Sequence, residues 1–321
     1  MISLKWGTLT GLLVASALAS PTTALACSSC GCTLSSDWTS QGFSAGEGFR
    51  MDLRYDYFNQ NQLRNGTGTV DRGSITFPTD REIQQKTVNK NYTLALDYSG
   101  ASNFGVTVLI PYFDRFHTTV AAGDTDVSTS HSRSIGDVRV IGRYHGLFGD
   151  HGTGVQFGAK LPTGAFQNNF IDGPQAGQPL DRGLQPGTGT TDLLLGIYHF
   201  GALSRNWDYF AMALLQQPLN SRDEFKPGTG INANFGVRYV ANETIVPHLQ
   251  INIRNEKRDS GTNADVDNSG ATLAYLSPGV TVSVSKQAKI YGFVQIPIYQ
   301  RVNGLAIEAR TSVSVGIHYA F

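Results

Sequence analysis

The chain has 321 residues, and its 25 basic and 25 acidic side chains give a formal net charge of zero. Such a balance provides no electrostatic basis for binding nucleic acid, so we expect no nucleic-acid partner. Only 16% of the residues are charged, and Gly is abundant at 36 residues. No apolar run beyond the amino terminus approaches the roughly 18 residues of a membrane-spanning helix. This composition favours β-structure over a helical membrane protein.

Residues 1–26 have the three parts of an export signal. They contain a cation at Lys5, an apolar centre over about residues 9–19 and a small-x-small cleavage site, ALA, before Cys27. The apolar centre is too short for a transmembrane anchor. We therefore expect residues 1–26 to be a signal peptide that is removed on export.

The next segment, residues 27–47, is predicted to be a periplasmic amino-terminal region, and it contains all three cysteines in the sequence CSSCGC: Cys27, Cys30 and Cys32. Thiols this close together cannot join distant segments, as structural disulfides do in exported proteins. Four interpretations stay open: lipidation of Cys27, binding of a soft metal such as Cu(I) or Zn, a disulfide or redox pair, and no role. Apart from such a metal, we expect no cofactor.

The stretch FRMDLRYDYF at 49–58 alternates strictly between apolar and charged residues. Leu53 and its apolar partners form one column, and Arg54 and its charged partners form the other. A period of two predicts a β-strand, because a helix would scatter the charges around its axis. Similar runs follow, and the whole set predicts twelve strands: 49–58, 90–98, 104–117, 135–147, 154–163, 190–200, 207–217, 231–240, 245–256, 272–285, 289–300 and 310–321.

The connections between these strands alternate between long and short. The long ones are 59–89, 118–134, 164–189, 218–230, 257–271 and 301–309, and the short ones are 99–103, 148–152, 201–206, 240–244 and 285–289. Bacterial outer-membrane barrels have short periplasmic turns and long external loops, whereas a β-sandwich has no reason to place every long loop at one end. Since a sheet in lipid must pair every backbone group, it must also close on itself.

We therefore predict an all-β fold over residues 48–321: a closed antiparallel transmembrane β-barrel of about 12 strands in the outer membrane of a Gram-negative bacterium. The last strand, TSVSVGIHYAF, should pair with the first. Its terminal Phe321 resembles the signal that the barrel assembly machinery recognises. The expected partners are outer-membrane lipid and that machinery.

The charged columns should face the barrel interior, since a Lys or Arg facing lipid near the bilayer midplane costs about 2–4 kcal/mol. The predicted pore-lining residues are Arg50, Asp52, Arg54, Asp56, Asp97, Asp137, Arg139, Arg143, Lys160, Asp192, Arg238, Arg254 and Glu256. Two interpretations stay open for them: opposed charge ladders that orient solutes, or pairs across the lumen that plug a narrow barrel. The eleventh strand places Tyr291, Phe293 and Tyr299 on the inward column, which predicts either an aromatic track or a bulge.

Three glycine-rich stretches carry a resemblance to a known family: SIGDVRVIGRYHGLF, GVQFGAKLPTG and PGTGTTDLLLGIYHFG. The matching residues are Gly136-Asp137, Lys160-Leu161-Pro162-Thr163-Gly164 and Gly187-Thr188-Gly189 with Asp192. Over roughly residues 104–321 the chain resembles the outer-membrane barrels named for the MetA-pathway of phenol degradation, often described as transporters. The resemblance implies a barrel that moves small aromatic or other hydrophobic compounds inward.

Catalytic motifs are missing from the sequence. None of the seven histidines stands two residues before a Ser-Asn-Gly, as in the outer-membrane phospholipases, and there is no GxSxG. We expect no enzymatic activity. The acidic stretches at 123–126 and 263–268 lack the spacing of an EF-hand, and they are predicted to be solvated loops.

Together these features predict an outer-membrane channel or transporter, a porin-like barrel for passive uptake of small organic solutes, including aromatic or hydrophobic ones. The alternative is a plugged barrel that acts as a scaffold and holds a periplasmic redox or metal-binding partner through CSSCGC.

Overall fold

The computed structural model describes residues 47–101, 103–149 and 152–321. Within these residues the strands are β1 (Gly48–Gly66), β2 (Gly68–Thr69), β3 (Ile83–Ser99), β4 (Phe104–Val120), β5 (Ser128–Ile135), β6 (Arg139–His145), β7 (Thr153–Lys160), β8 (Asp192–Ser204), β9 (Trp207–Pro218), β10 (Gly230–Tyr239), β11 (Ile245–Glu256), β12 (Ala271–Ser283) and β13 (Ala288–Ala320). Short 3₁₀ helices lie at Arg72–Ser74, Leu147–Gly149 and Arg182–Leu184. In this described part, no helix is both long enough and apolar enough to cross a membrane. The predicted signal peptide and all three cysteines fall outside it.

The strands form one antiparallel sheet that closes into a barrel, because β13 pairs with both β12 and β1. Among the described residues, eleven strands form the closed path, and β2 and β5 pair off it with β1 and β4. β13 pairs antiparallel with β12 through its first half and with β1 through its second half. Because β12 and β1 run in opposite directions, β13 reverses its direction and crosses the barrel wall twice; each such crossing is called a pass. The first pass runs to Val302, opposite Ala271, and the second returns to Ala320, opposite Arg50.

β5 and β6 share one further pass, because both pair with β4, at its two ends. Counted in this way, the described chain passes along the barrel wall twelve times. The predicted closed antiparallel barrel is therefore confirmed, including the pairing of the first and last strands, in which Leu53 lies opposite Ile317.

The strands on one side of the barrel are longer than predicted. β1 continues to Gly66, and β3 begins at Ile83, where the sequence predicted a loop. This extension is stabilised by a buried cluster on β1, β3 and β13, formed by Leu63, Ile83, Leu305 and Ile307. Part of the predicted loop 118–134 is also a strand, β5, because its backbone pairs with β4 from Ser128 opposite Thr119 onwards.

Alternate residues of each strand face opposite environments, and the two faces differ in polarity. On the outer face Leu53 is 49% exposed and Val315 is 45% exposed, whereas their neighbours Arg54 and Ser314 are buried. In a membrane the exposed aliphatic and aromatic side chains contact lipid and are thereby removed from water. The closed sheet pairs the backbone N–H and C=O groups behind them, so no polar group is left unpaired in lipid. The charged columns consequently meet inside the barrel.

The first pass of β13 contains a bulge. Tyr291 and Phe293 are buried and face inward, but Ile298 and Tyr299 are both exposed. A register shift opposite Ala274 and Tyr275 inserts one extra residue there and turns Tyr299 outward. The Tyr291 ring lies over Gly316 of the next pass, where an added Cβ would come within 2.4 Å of the ring. Of the three aromatic residues predicted on the inward column, Tyr291 and Phe293 therefore face inward, and Tyr299 lies at a bulge and faces outward.

Candidate functional site

The barrel interior contains a cavity of about 340 Å³, formed by inward columns of the strands and by segments of three long loops, 161–191, 219–229 and 257–270. Hereafter the end of the barrel with these loops is the loop end, and the opposite end, with the short connections, is the turn end. Ten of the predicted pore-lining residues border the cavity: Arg50, Asp52, Arg54, Asp56, Asp97, Asp137, Arg139, Lys160, Arg254 and Glu256.

The other three predicted residues also face inward but lie off the cavity. Arg143 and Asp192 are fully buried, and Arg238 is nearly so. Each is covered by its own partners: Arg143 by Asp97, Asp192 by Lys160, and Arg238 by the Phe210 ring, 5.9 Å from its guanidinium carbon.

At the turn end, one carboxylate holds two guanidinium groups. Arg50 donates to Asp97 Oδ1 from Nε at 2.9 Å and from Nη2 at 2.7 Å. Arg143 Nη1 lies 2.5 Å from Asp97 Oδ2, which also accepts a hydrogen bond of 2.6 Å from the Thr107 hydroxyl. All four side chains are buried. This cluster joins β1, β3, β4 and β6 on the inner face of the barrel.

Further along the barrel, the charges are also paired on the wall. Arg54 Nε donates to Asp56 Oδ2 at 2.8 Å, and Asp56 Oδ1 accepts from Ser314 at 2.5 Å. On β11 Arg254 donates to Glu256 Oε2 at 2.8 and 3.1 Å. Each of these pairs joins alternate residues of one strand, so every charge has its counter-ion on the same stretch of wall. These two pairs therefore present compensated charges to the cavity.

Lys160 at the loop end of β7 lies between two carboxylates on different segments. Its Nζ is 3.1 Å from Asp137 Oδ2 and 3.0 Å from Asp192 Oδ2, and it also donates to the Thr188 hydroxyl. Asp192 accepts a further hydrogen bond of 2.5 Å from Gln216. The ammonium is thereby buried with two counter-ions, which offsets its loss of hydration.

The residues that carry the family resemblance converge on this lysine. Asp137 accepts hydrogen bonds from the backbone of Gly164 at 3.0 Å and of Thr188 at 2.9 Å. Thr163 in turn donates to the Gly136 carbonyl at 2.9 Å. Gly164 and Gly187 pack directly on each other, and a Cβ on Gly164 would come within 2.7 Å of Gly187 Cα. The three motifs therefore form one junction that fixes both ends of the loop 161–191 to the barrel wall.

Between these fixed ends, the loop 161–191 folds into the barrel. Leu184 is fully buried with Phe170 and Leu180. Arg115, on the inner face of β4, donates to the Leu184 carbonyl at 2.8 Å and to the Gly183 carbonyl at 3.4 Å. The loop residues Arg182, Gly183, Gln185, Pro186 and Thr188 then line the cavity. The loop thus narrows the interior at the loop end.

An apolar stripe completes the cavity, and sequence reasoning missed it. It is formed by Leu109, Phe113, Ile141, Met212 and Leu214, all of which border the cavity. In β4 the stretch VLIPYF at 108–113 is apolar in both columns, so alternation could not separate its inner face from its outer face. Its unbroken apolar character is the signal that could have indicated a non-polar inner wall.

Acidic residues of the external loops are buried near the loop end, contrary to the prediction of solvated loops. Asp265 is 6% exposed, whereas the side chain of Asp267 is 97% exposed, so the prediction is wrong for Asp265. Burial raises the pKa of Asp265 to about 6, with a smaller contribution from Glu82 and against the hydrogen bonds from Asn268. Burial likewise raises the pKa of Asp181 well above its ordinary value, and Asp265 and Glu82 add to this effect.

The loop 257–270 should be more stable in mild acid. Because the pKa of Asp265 is raised in the folded loop, its contribution to stability is fully present below pH 4 and is lost as the pH rises through about 6. Hydrogen exchange of the loop amides, corrected for the intrinsic pH dependence, should be slower at pH 5 than at pH 7.5. Asp265→Asn should abolish this difference, and Asp267→Asn, on the exposed neighbour, should preserve it. If hydrogen exchange of the loop depended on pH equally in both variants, Asp265 would not be the group responsible for the pH dependence.

Comparison with solved structures finds several that are similar to this chain to different degrees. The COG4313 outer membrane channel from Pseudomonas putida F1 superimposes with a TM-score of 0.62 at 11% identity, over 86% of this chain and 96% of that chain. The CymD monoaromatic hydrocarbon channel gives a TM-score of 0.45 at 11% identity, over 90% of this chain and 94% of that one. The KdgM porin gives 0.40 at 12% identity, over 84% and 99%. No family model and no curated protein matches the sequence.

The likeness to the Pseudomonas putida channel establishes the fold: this chain has the architecture of the outer-membrane β-barrels of Gram-negative bacteria. The MetA-pathway name, which rests on the motifs around Lys160, stays a prediction, as do export by a signal peptide and the absence of enzymatic activity. In the described part of the chain, no group of three or more His, Cys, Asp or Glu is arranged to hold a metal ion. The predicted metal ligands Cys27, Cys30 and Cys32 lie outside that part.

Proposed function

We propose that the protein is an outer-membrane channel for passive uptake of small organic solutes, with a preference for aromatic or other hydrophobic ones. The observation that carries this proposal is the central cavity, which is lined both by charged side chains and by the apolar stripe. A cavity of about 340 Å³ is at the lower end of the range for small-molecule sites, about 300–1,000 Å³.

The wall chemistry supports solutes with both polar and apolar parts. Leu109, Ile141 and Met212 offer an apolar surface to a ring or chain, and Arg139 and Lys160 border the same space. Since Lys160 is already held by two carboxylates, it presents a compensated charge. A solute can therefore pass such a wall without being trapped by a bare ion, as conduction through a pore requires.

The inward-folded loop 161–191 supports a size limit. Its ends are fixed by Asp137 and by the contact of Gly164 with Gly187, and its middle is held by Arg115. The loop thus forms a constriction that admits small molecules and excludes oligomers. The pore-lining role of the ten residues that border the cavity is part of this proposal.

Solute uptake into proteoliposomes tests the proposal. Liposomes containing the protein should take up 4-hydroxybenzoate, a small aromatic that crosses bare lipid slowly, faster than empty liposomes do. Glucose should enter more slowly, and a maltooligosaccharide should be excluded. Uptake no faster than through empty liposomes would remove the channel function. Faster entry of glucose than of the aromatic would remove the substrate preference alone.

The scaffold alternative receives no support from the described residues. It depends on the CSSCGC segment, which lies outside them, and on a filled lumen, whereas the described barrel contains a cavity.

A further inference from the structure

One side of the barrel has a group of charged residues on its outer face. This group, the basic patch, consists of Lys86 and Lys90 on β3, Asp114 on β4, and His131 and Arg133 on β5. Their neighbours Asn89, Asn91 and Arg115 are buried inside the barrel, so the alternation of the strands places the patch residues outside. Three cations face one carboxylate, which gives the patch a net positive charge even when His131 is neutral.

A row of tyrosines on the turn-end side of the patch indicates its position along the membrane normal. Tyr55, Tyr92 and Tyr112 are cross-strand neighbours on the outer face, with ring centroids 5.0 and 6.2 Å apart. Such a row marks the boundary between hydrocarbon and head groups in outer-membrane barrels. Lys90 and Asp114 occupy the next outward position toward the loop end, directly opposite each other. The patch therefore lies at the level of the lipid head groups on the side of the long loops.

The other side of the barrel lacks such charges. The outward positions at the loop ends of β8 to β12 have uncharged side chains throughout the described strands: Leu193, Gln217, Ile231, Asn255 and Thr272. These five positions follow one another across neighbouring strands, so the comparison covers a continuous stretch of wall. On the next strand, β13, Arg301 lies opposite Thr272 and is exposed, so the positive charge at the loop end of the outer face is clustered on β3 to β5 without being confined to them.

Internal contacts orient the patch but leave donors unused. Asp114 Oδ1 lies 2.7 Å from His131 Nε2, and Asp114 Oδ2 lies 3.5 Å from Arg133 Nε. These contacts hold the Arg133 stem, and its side chain is still 61% exposed. Lys86 Nζ lies 5.5 Å from the centre of the Phe116 ring. Within the described residues, the Lys90 ammonium forms no hydrogen bond or ion pair, although it is exposed beside Asp114.

We propose that the basic patch binds the phosphate groups of lipopolysaccharide in the outer leaflet. The long loops lie at this end of the barrel, and in outer-membrane barrels the long loops are extracellular, so the patch faces the outer leaflet. The anionic groups of lipopolysaccharide at the depth of the head groups are phosphates. A guanidinium and two ammonium groups on neighbouring strands match a phosphate in charge and in hydrogen-bond donors. The Tyr55–Tyr92–Tyr112 row below provides an apolar surface for the acyl chains of the same lipid.

Binding of purified lipid A to the protein in nanodiscs tests this proposal. Lys90→Gln combined with Arg133→Gln should weaken binding of bisphosphorylated lipid A by about 30-fold, given the contribution of each basic residue near an anionic surface. The matched control is Arg205→Gln with Lys286→Gln, which removes the same charge from exposed positions at the turn end and should leave binding unchanged. Lys90→Arg with Arg133→Lys should retain most of the binding.

The probe lipid provides the second arm of the test. Dephosphorylated lipid A should bind the wild-type protein as weakly as bisphosphorylated lipid A binds the double Gln variant. The fold of each variant is checked by its shift in electrophoretic mobility on heating, which reports an intact barrel. Equal binding of bisphosphorylated lipid A by the folded wild-type and double Gln proteins would overturn the proposal. Equal binding of bisphosphorylated and dephosphorylated lipid A by the wild-type protein would overturn it as well.

Discussion

Asp97→Asn should lower the free energy of unfolding by about 3–5 kcal/mol, the usual cost of breaking a buried ion pair. Asp97 lies within ion-pair distance of both Arg50 and Arg143. The side chain of Arg143 is fully buried, and a guanidinium cannot lose its proton to escape the cost of burial. An Asn in place of Asp97 keeps the shape but removes the charge that two cations share.

Unfolding in urea from lipid vesicles, followed by tryptophan fluorescence, measures this loss. Asp80→Asn is the matched control, because the Asp80 side chain is 86% exposed and its contact with Arg81 is a surface ion pair at 3.5 Å. The control should change the free energy of unfolding by less than about 1 kcal/mol. A similarly small effect of Asp97→Asn would show that the cluster at the turn end does not stabilise the barrel.

Asp137→Ala should release the loop 161–191 and raise the single-channel conductance several-fold. Its carboxylate accepts three hydrogen bonds from the two ends of the loop, from Gly164 and from the backbone and hydroxyl of Thr188. Lys160 would keep Asp192 as its counter-ion, so the barrel wall itself should remain intact. Freed from the wall, the loop would move out of the interior and leave a wider passage.

Conductance in planar bilayers, together with trypsin cleavage after Arg182, provides the readout. In the wild-type protein Arg182 lies over the Phe166 and Phe225 rings at 4.7 and 4.9 Å, and it should resist cleavage. Asp172→Ala is the control, since it removes an exposed carboxylate of the same loop and should change neither result. If Asp137→Ala is cleaved faster but its conductance does not rise, Asp137 holds the loop 161–191 in place, but the loop does not narrow the channel.

The sequence predicted the barrel well because its signal is local and repeated. In β1 the alternation of Leu53 and Arg54 with their neighbours fixes both the strand and its two faces, and the alternating loop lengths order the passes. Prediction failed where alternation is absent. β5 has serine at Ser128, Ser130 and Ser132 on the inner column, and His131 and Arg133 on the outer, so no apolar face marks it as membrane-spanning.

The candidate site was less predictable, because it depends on contacts between distant segments. The charged columns of β1 indicated inward-facing residues, but nothing local showed that Asp97 would hold two arginines from other strands. Likewise the motifs around Lys160 were recognisable only as a family resemblance. Their physical role, to fix the loop 161–191 inside the barrel, requires the approach of Gly164 to Gly187, which lie 23 positions apart in the sequence.

Chemical blocking of the interior tests the central claim, that the cavity along the apolar stripe is the path of solutes. In a background with Cys27, Cys30 and Cys32 replaced by Ser, Leu109→Cys places a thiol on the cavity wall, and Val108→Cys places one on the outer face of the same strand. We predict that a bulky, water-soluble thiol reagent abolishes most of the single-channel conductance of the Leu109→Cys protein and leaves that of the Val108→Cys protein unchanged. Undiminished conductance after complete labelling of Leu109→Cys would contradict the account.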